Sequence, residues 1–201
     1  LLTCLQQTEI SEILMINRRR SPIRHPKLSE LIVKDFTDLS SYTDQLTGYD
    51  ACIYCAGISS FGMNESQYRH ITFDTTLVFA ETLSALNPQM TFFYLSGVYA
   101  DSSAKGRIMW ARVKGKTENA LAGLPFKKVY SFRPGFIIPL PAQKNTRMLY
   151  KVLNLIYPII FPKQTLTYGE IVRALLYIFK TGYSRNTLEI RDLKLAAGRE
   201  V

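Results

Sequence analysis

Short apolar runs alternate with longer stretches of helical period along most of this chain. The runs are Glu12–Ile16, Leu31–Val33, Ala51–Cys55, Thr91–Leu95 and Lys128–Phe132. Each ends on polar, Gly or Pro residues: Asn17 and the arginines after it, Lys34-Asp35-Phe36, Ala56-Gly57, Ser96-Gly97 and Arg133-Pro134-Gly135. Strands alternating with helices predict an α/β fold, a parallel sheet covered by helices on both faces. Open sheets of that kind place ligands beyond the carboxyl ends of their strands, where these polar residues fall.

Two long helical patterns separate the later runs. Asn64 to Leu86 carries apolar residues on a helical period and stops at Asn87-Pro88. Ser103 to Leu124 follows, with Ser102 or Ser103 as the expected N-cap. Two further helices are predicted at about Lys144 to Tyr157 and Gly169 to Lys180. At 201 residues, one domain is expected over 1–201, with 139–201 as a C-terminal helical part. Val152 to Pro162 is the most apolar stretch, about half a membrane span and broken by Pro158. Leu1 to Gln7 has no charged n-region or cleavage site. A cytoplasmic protein without an integral membrane segment is the expectation.

Charge and cysteines add less. The formal charge is +9, from 25 basic and 16 acidic residues, in clusters at Arg18 to Arg24, Lys105 to Lys116 and Lys127 to Arg133. Such clusters suit a solvated surface or a phosphate-bearing small ligand; no aromatic-basic interleaving of a nucleic-acid module is present. Three cysteines make no disulfide framework. Cys52 and Cys55 form C-x-x-C, but on a buried strand residues three apart face opposite ways, against a shared metal or disulfide. His25 and His70 lie far from the strand ends in sequence, and no metal-ligand spacing or Ser-His-Asp order stands out.

The candidate chemistry centres on Ser96, followed fourteen residues later by Trp110-Ala-Arg-Val-Lys114. With Arg18 and Arg19, Asp35-Phe36, Ala56-Gly57 and Arg133-Pro134-Gly135, this order resembles the short-chain dehydrogenase/reductase superfamily, specifically its atypical, epimerase-like members. The resemblance implies a Rossmann-like doubly wound sheet and an NAD(P) cofactor. In that family Ser steadies the substrate oxygen, a Tyr four residues before Lys passes the proton, and Lys lowers its pKa. Here Trp110 stands at the Tyr position, and an indole N–H has no useful acidity. Catalysis is therefore left open: an NADP-dependent oxidoreductase or epimerase-like enzyme on a small carbonyl or alcohol, or a non-catalytic dinucleotide-binding sensor or scaffold.

The same resemblance assigns the remaining site residues. Ser96 and Lys114 are the catalytic candidates, and Tyr99 is the nearby phenol that could replace the lost acid. Lys114 would also bond the nicotinamide ribose. Arg18 and Arg19 would meet a 2′-phosphate, and with no acid at positions 17 to 20 NADP is expected over NAD. Asp35 and Phe36 would contact adenine, Ala56 and Gly57 would let backbone approach the cofactor, and Pro134 and Gly135 would lie near the nicotinamide amide. Leu149, Leu153, Ile156 and Tyr157 would line an apolar substrate pocket. Dimers through the long helices are frequent in the family, and the helix faces here do not decide between monomer and homodimer.

One family feature is missing. The pattern opens with a strand and a Gly-rich turn that cradles pyrophosphate at a helix N-terminus, and the first glycine here is Gly48. Leu1 to Gln7 reads as the helix after that turn, so a truncation of roughly fifteen to twenty residues, one strand plus its turn, is expected. In the order 3-2-1-4-5-6 that strand is central. Each unpaired buried backbone group costs about 1–3 kcal/mol, against a total stability of roughly 5–15 kcal/mol. Either the strands at Ile13 and Ile53 close on each other, or the chain is unstable by itself; weak dinucleotide binding is expected in both cases.

Overall fold

The computed structural model describes residues 1–138 and 160–199. The expected helix at Lys144 to Tyr157 and its pocket-lining residues lie outside that range. The N-terminal helix α1 (Leu2–Leu5) is followed by β1 (Ile13–Asn17) and β2 (Leu28–Ile32), which pair in parallel with Ile13 opposite Leu28. The short α2 (Thr43–Leu46) leads to β3 (Ala51–Tyr54). Then come α3 (Glu65–Arg69), a π-helical turn over His70–Asp74, α4 (Thr75–Leu86), β4 (Thr91–Leu95), α5 (Met109–Ala122) and β5 (Lys128–Arg133). The last part holds β6 (Phe136–Ile138), β7 (Thr165–Thr167), α6 (Tyr168–Thr181), β8 (Thr187–Glu189) and α7 (Ile190–Ala197).

The main sheet runs β3-β4-β5-β8, every pair parallel, and β6 pairs with β7. Alternate residues of β4 and β5 feed two cores. Phe92, Tyr94 and Val129 join Phe79, Ala80, Leu83 and Leu121 from α4 and α5. Phe93, Tyr130 and Phe132 join Ala174, Leu175, Ile178, Leu193 and Ala196 from α6 and α7. A strand with helices on both sides buries both of its faces, which is why Thr91–Leu95 is apolar without alternation.

β1 and β3 do not pair with each other, so the sheet is interrupted between its two-stranded and four-stranded segments. Both segments nevertheless share one core, in which Leu31 and Val33 cluster with Tyr54 and Phe92, and Leu14, Ile16 and Cys52 pack against them. The expectation that Ala51–Cys55 is a buried strand is corrected: Ile53 is 46% exposed and Cys55 is exposed. Full burial needs neighbours on both sides, and among the described residues β3 pairs only with β4. The three cysteines are free thiols, and burial pushes the half-buried Cys52 thiol up.

The second long helix also differs. It begins at Met109, and its N-cap, Ile108, offers no side-chain bond. Asp101 pre-empts the serines: its carboxylate accepts from Ser103 N and Oγ at 3.0 and 2.6 Å, Lys105 N at 3.1 Å and Gly106 N at 2.6 Å. These bonds wind residues 101–106 into a loop before the helix can start.

At the end of α4, Asn87 does more than stop a helix. Its Oδ1 accepts from Gly48 N at 2.7 Å and Tyr49 N at 3.2 Å, and its Nδ2 donates to the Leu46 carbonyl at 2.8 Å. This buried amide ties α4 to the turn that launches β3. Asn87→Ala is expected to cost about 2–3 kcal/mol, because buried partners lose their bonds. Urea unfolding checks it; a loss under roughly 0.5 kcal/mol, the range of neutral surface changes, would contradict the staple.

Candidate functional site

The turn after β4 and the first half of α5 assemble the candidate site. Ser96 is 8% exposed, and its Oγ has no hydrogen-bond partner among the described residues, while its N–H remains tied to the Phe132 carbonyl at 2.8 Å. A buried hydroxyl without a partner is uncommon, because its desolvation goes uncompensated. Beside it, Gly97 leaves room for two side chains from α5. A Cβ at Gly97 would lie 3.5 and 3.6 Å from Cδ and Cε of Lys114 and 4.0 Å from Cζ3 of Trp110. Trp110 and Lys114, one helical turn apart, therefore share the face that meets this strand end.

Lys114 Nζ sits 5.6 Å from the centroid of the Tyr94 ring, a cation–π arrangement. Burial holds the ammonium below the ordinary lysine range, with Glu118 pulling the opposite way. Tyr94, buried in β4, has its phenol pushed up, chiefly by desolvation, and stays neutral. Gly97 and Tyr94 were invisible to spacing arguments, because only the packing of α5 on the strand end brings them to Lys114.

The other sequence candidates spread along the same edge. Arg18 and Arg19 are exposed in the bend after β1. Glu30 of β2 fixes that bend by accepting from Asn17 Nδ2 at 3.2 Å and Ser21 N at 2.7 Å. Asp35 accepts from Thr37 N at 2.8 Å and Oγ1 at 2.6 Å, which holds its carboxyl low. It lines an open depression of about 400 Å³ with Ile32, Lys34, Asp38 and Tyr42. Phe36 turns away into the core, its ring 5.6 Å from that of Phe79. Ala56 and Gly57 are exposed after β3, and a Cβ on Gly57 would meet open space.

Tyr99 is 72% exposed with φ 65°, an unusual backbone for a non-glycine residue, in the turn closed by Ala100 N donating to the Gly97 carbonyl. Gly135 follows Pro134 where β5 passes into β6, and a Cβ there would lie 2.3 Å from the Gln164 carbonyl and 2.8 Å from Ile190 Cδ1. Packing alone requires that glycine. Neighbouring Arg133 points inward and forms a buried fork with Glu118, which spacing did not reveal. No group of three metal-ligating side chains occurs among the described residues, and none of the helices found there is long and apolar enough to cross a membrane.

No protein-family model matches the sequence. Solved structures share its fold. Bordetella bronchiseptica WbmG in complex with NAD superposes with a TM-score of 0.63 at 11% identity, covering 89% of this chain and 64% of WbmG. RMD from Pseudomonas aeruginosa, complexed with NADPH, gives 0.53 at 18% identity over 88% of this chain and 78% of its own. A short-chain dehydrogenase/reductase from Saccharomyces cerevisiae gives 0.62 at 12% identity over 94% and 88%. The chain has their Rossmann-like α/β fold, and it spans about two thirds of the length of WbmG.

The described residues offer a nicotinamide dinucleotide two kinds of group. Exposed arginines stand at one strand end. At another stand Ser96, whose buried hydroxyl has no hydrogen-bond partner among the described residues, and the desolvated Lys114.

Proposed function

We propose that this chain is an atypical short-chain dehydrogenase/reductase-like domain that holds NADP(H) across its strand ends. The carrying observation is the buried Ser96 hydroxyl beside a desolvated Lys114, neither with a hydrogen-bonding or carboxylate partner among the described residues. Two such groups at one strand end are costly unless a ligand's oxygens complete them. When bound, the dinucleotide supplies or accepts hydride. Ser96 would donate to the oxygen of a small carbonyl or alcohol, Lys114 would bond the ribose hydroxyls, and Arg18 and Arg19 would meet the 2′-phosphate. NAD- and NADPH-bound proteins of this fold support the cofactor class.

Trp110 favours a second reading, in which the domain binds dinucleotide as a sensor or scaffold without turning it over, because no acid stands at the Tyr position. Both readings require binding. In an NADPH titration followed by nicotinamide fluorescence, Lys114→Met is expected to weaken affinity about tenfold or more, the scale of a lost charged hydrogen bond of 1.5–3 kcal/mol. Arg18→Ala with Arg19→Ala should weaken NADPH and leave NADH unchanged. Equal losses for both nucleotides would remove the NADP preference, and no loss with Lys114→Met would remove the site.

A further inference from the structure

Lys114 and Glu118 stand one turn apart on α5, on one face of the helix. A carboxylate there is the natural partner of the lysine, yet the two form no ion pair. Arg133, from β5, has taken Glu118 instead. Its Nε donates to Glu118 Oε1 at 3.0 Å and its Nη2 to Oε2 at 2.5 Å. The remaining donors reach Glu189 Oε1 at 2.9 Å and Ser102 Oγ at 2.7 Å. Arg133 and Glu118 are both buried. A buried ion pair of this kind is weak evidence for stability, since well-packed apolar residues often serve as well. Its geometry relative to Lys114 suggests a different use.

We propose that Arg133 is a positioning residue for Lys114: by occupying both oxygens of Glu118, it keeps the lysine unpaired over Gly97 and Tyr94, free to meet a ligand oxygen. The inference deepens the assignment of Lys114 as a ligand-binding lysine and rests on it. Among the described residues, the charged and titratable groups around the ammonium are Glu118 on its own helix, Tyr94 from β4, and Arg133 from β5 behind Glu118. Tyr68 of α3 lies near Tyr94 and is neutral, its phenol also pushed up by burial. With Arg133 in place, the attraction of Glu118 is largely spent on the guanidinium, and burial dominates the lysine. Without it, the free carboxylate would draw Lys114 into an i,i+4 pair.

Acetylation of the full chain by acetic anhydride at a series of pH values, read by peptide mass spectrometry, tests this. In the wild type, Lys114 should acquire reactivity at lower pH than the exposed Lys105 and Lys127. Arg133→Met should move the Lys114 midpoint upward and reduce its reactivity several-fold at fixed pH. Arg133→Met with Glu118→Leu removes both charges and should return the midpoint to the wild-type position. Arg133→Lys keeps a charge beside Glu118 but not the two-point hold, so it tests the same effect if the single Met variant does not fold; a smaller upward shift is expected. A Lys114 midpoint unmoved by Arg133→Met or Arg133→Lys, or equally raised in the double variant, would overturn the proposal. NADPH titration of the same proteins separates the two ideas: the expected labelling pattern with no dinucleotide binding would remove the ribose role and leave the positioning by Arg133 intact.

Discussion

Gly115→Ala is expected to destabilise the chain by about 3 kcal/mol or more, although it exchanges a poor helix former for the best one. Helix propensity alone favours alanine by about 1 kcal/mol. The packing of α5 outweighs it: a Cβ at Gly115 would stand 1.7 Å from the Asp101 carbonyl oxygen and 3.0 Å from Ser102 N. Both are backbone atoms, in the loop that the Asp101 carboxylate holds wound. Overpacking that forces side chains and backbone to shift costs about 1–3 kcal/mol, occasionally more, and here only backbone could yield. The helix must lift, carrying Trp110 and Lys114 away from Gly97. Gly57→Ala is the control, because its added methyl meets nothing within 4 Å; neutral or slightly increased stability is expected. Paired urea melts check both, and equal stability of the two variants would refute the close approach of α5 to the Asp101 loop.

The second large effect is a gain. Trp110→Tyr is expected to raise NADPH-dependent reduction of small aldehydes and ketones by about 10²-fold or more, the usual contribution of a positioned general acid. The indole edge already lies beside Gly97, the residue that follows the buried Ser96. A phenol on the same helical face would stand one turn from the Lys114 ammonium, whose charge favours the phenolate. The increase is to be read in kcat/KM from absorbance loss of NADPH over a carbonyl panel. Unchanged turnover would mean that the proton comes from elsewhere, and loss of activity in Tyr99→Phe would then identify the source.

Much of this layout was legible in the chain, for reasons that differ by element. Thr91–Leu95 matches its apolar run because a strand buried on both faces needs no alternation. Gly169 to Lys180 falls within α6 because Thr167 and Glu170 form a capping box ahead of an apolar helical stripe. By contrast, β6, β7 and β8 have three residues each, too few to carry a period. The start of α5 was misplaced because Asp101, rather than a serine, organises the residues before it. The π-helical turn over His70–Asp74 lies inside an uninterrupted apolar pattern and leaves no mark on it.

The site divides in the same way. Ser96, Trp110 and Lys114 are legible in the sequence because their relation is a spacing along the chain. Gly97 under Lys114, Tyr94 beneath the ammonium and Arg133 on Glu118 were not, because each is a contact between a helix and a strand distant in sequence. The exposure of Ile53 was missed for a related reason: burial of a strand depends on its neighbours, and β1 does not close on β3.

The central claim is that the carboxyl ends of β1, β3 and β4 hold a nicotinamide dinucleotide, and an NMR titration of the ¹⁵N-labelled chain with NADPH tests it most directly. The method registers weak binding and reports where it occurs. The expected result is a set of shifts at Arg18, Arg19, Gly57, Gly97 and Lys114 that saturate together, larger with NADPH than with NADH. Absence of shifts at those amides with NADPH in the millimolar range, or shifts confined to other surfaces, would contradict the account.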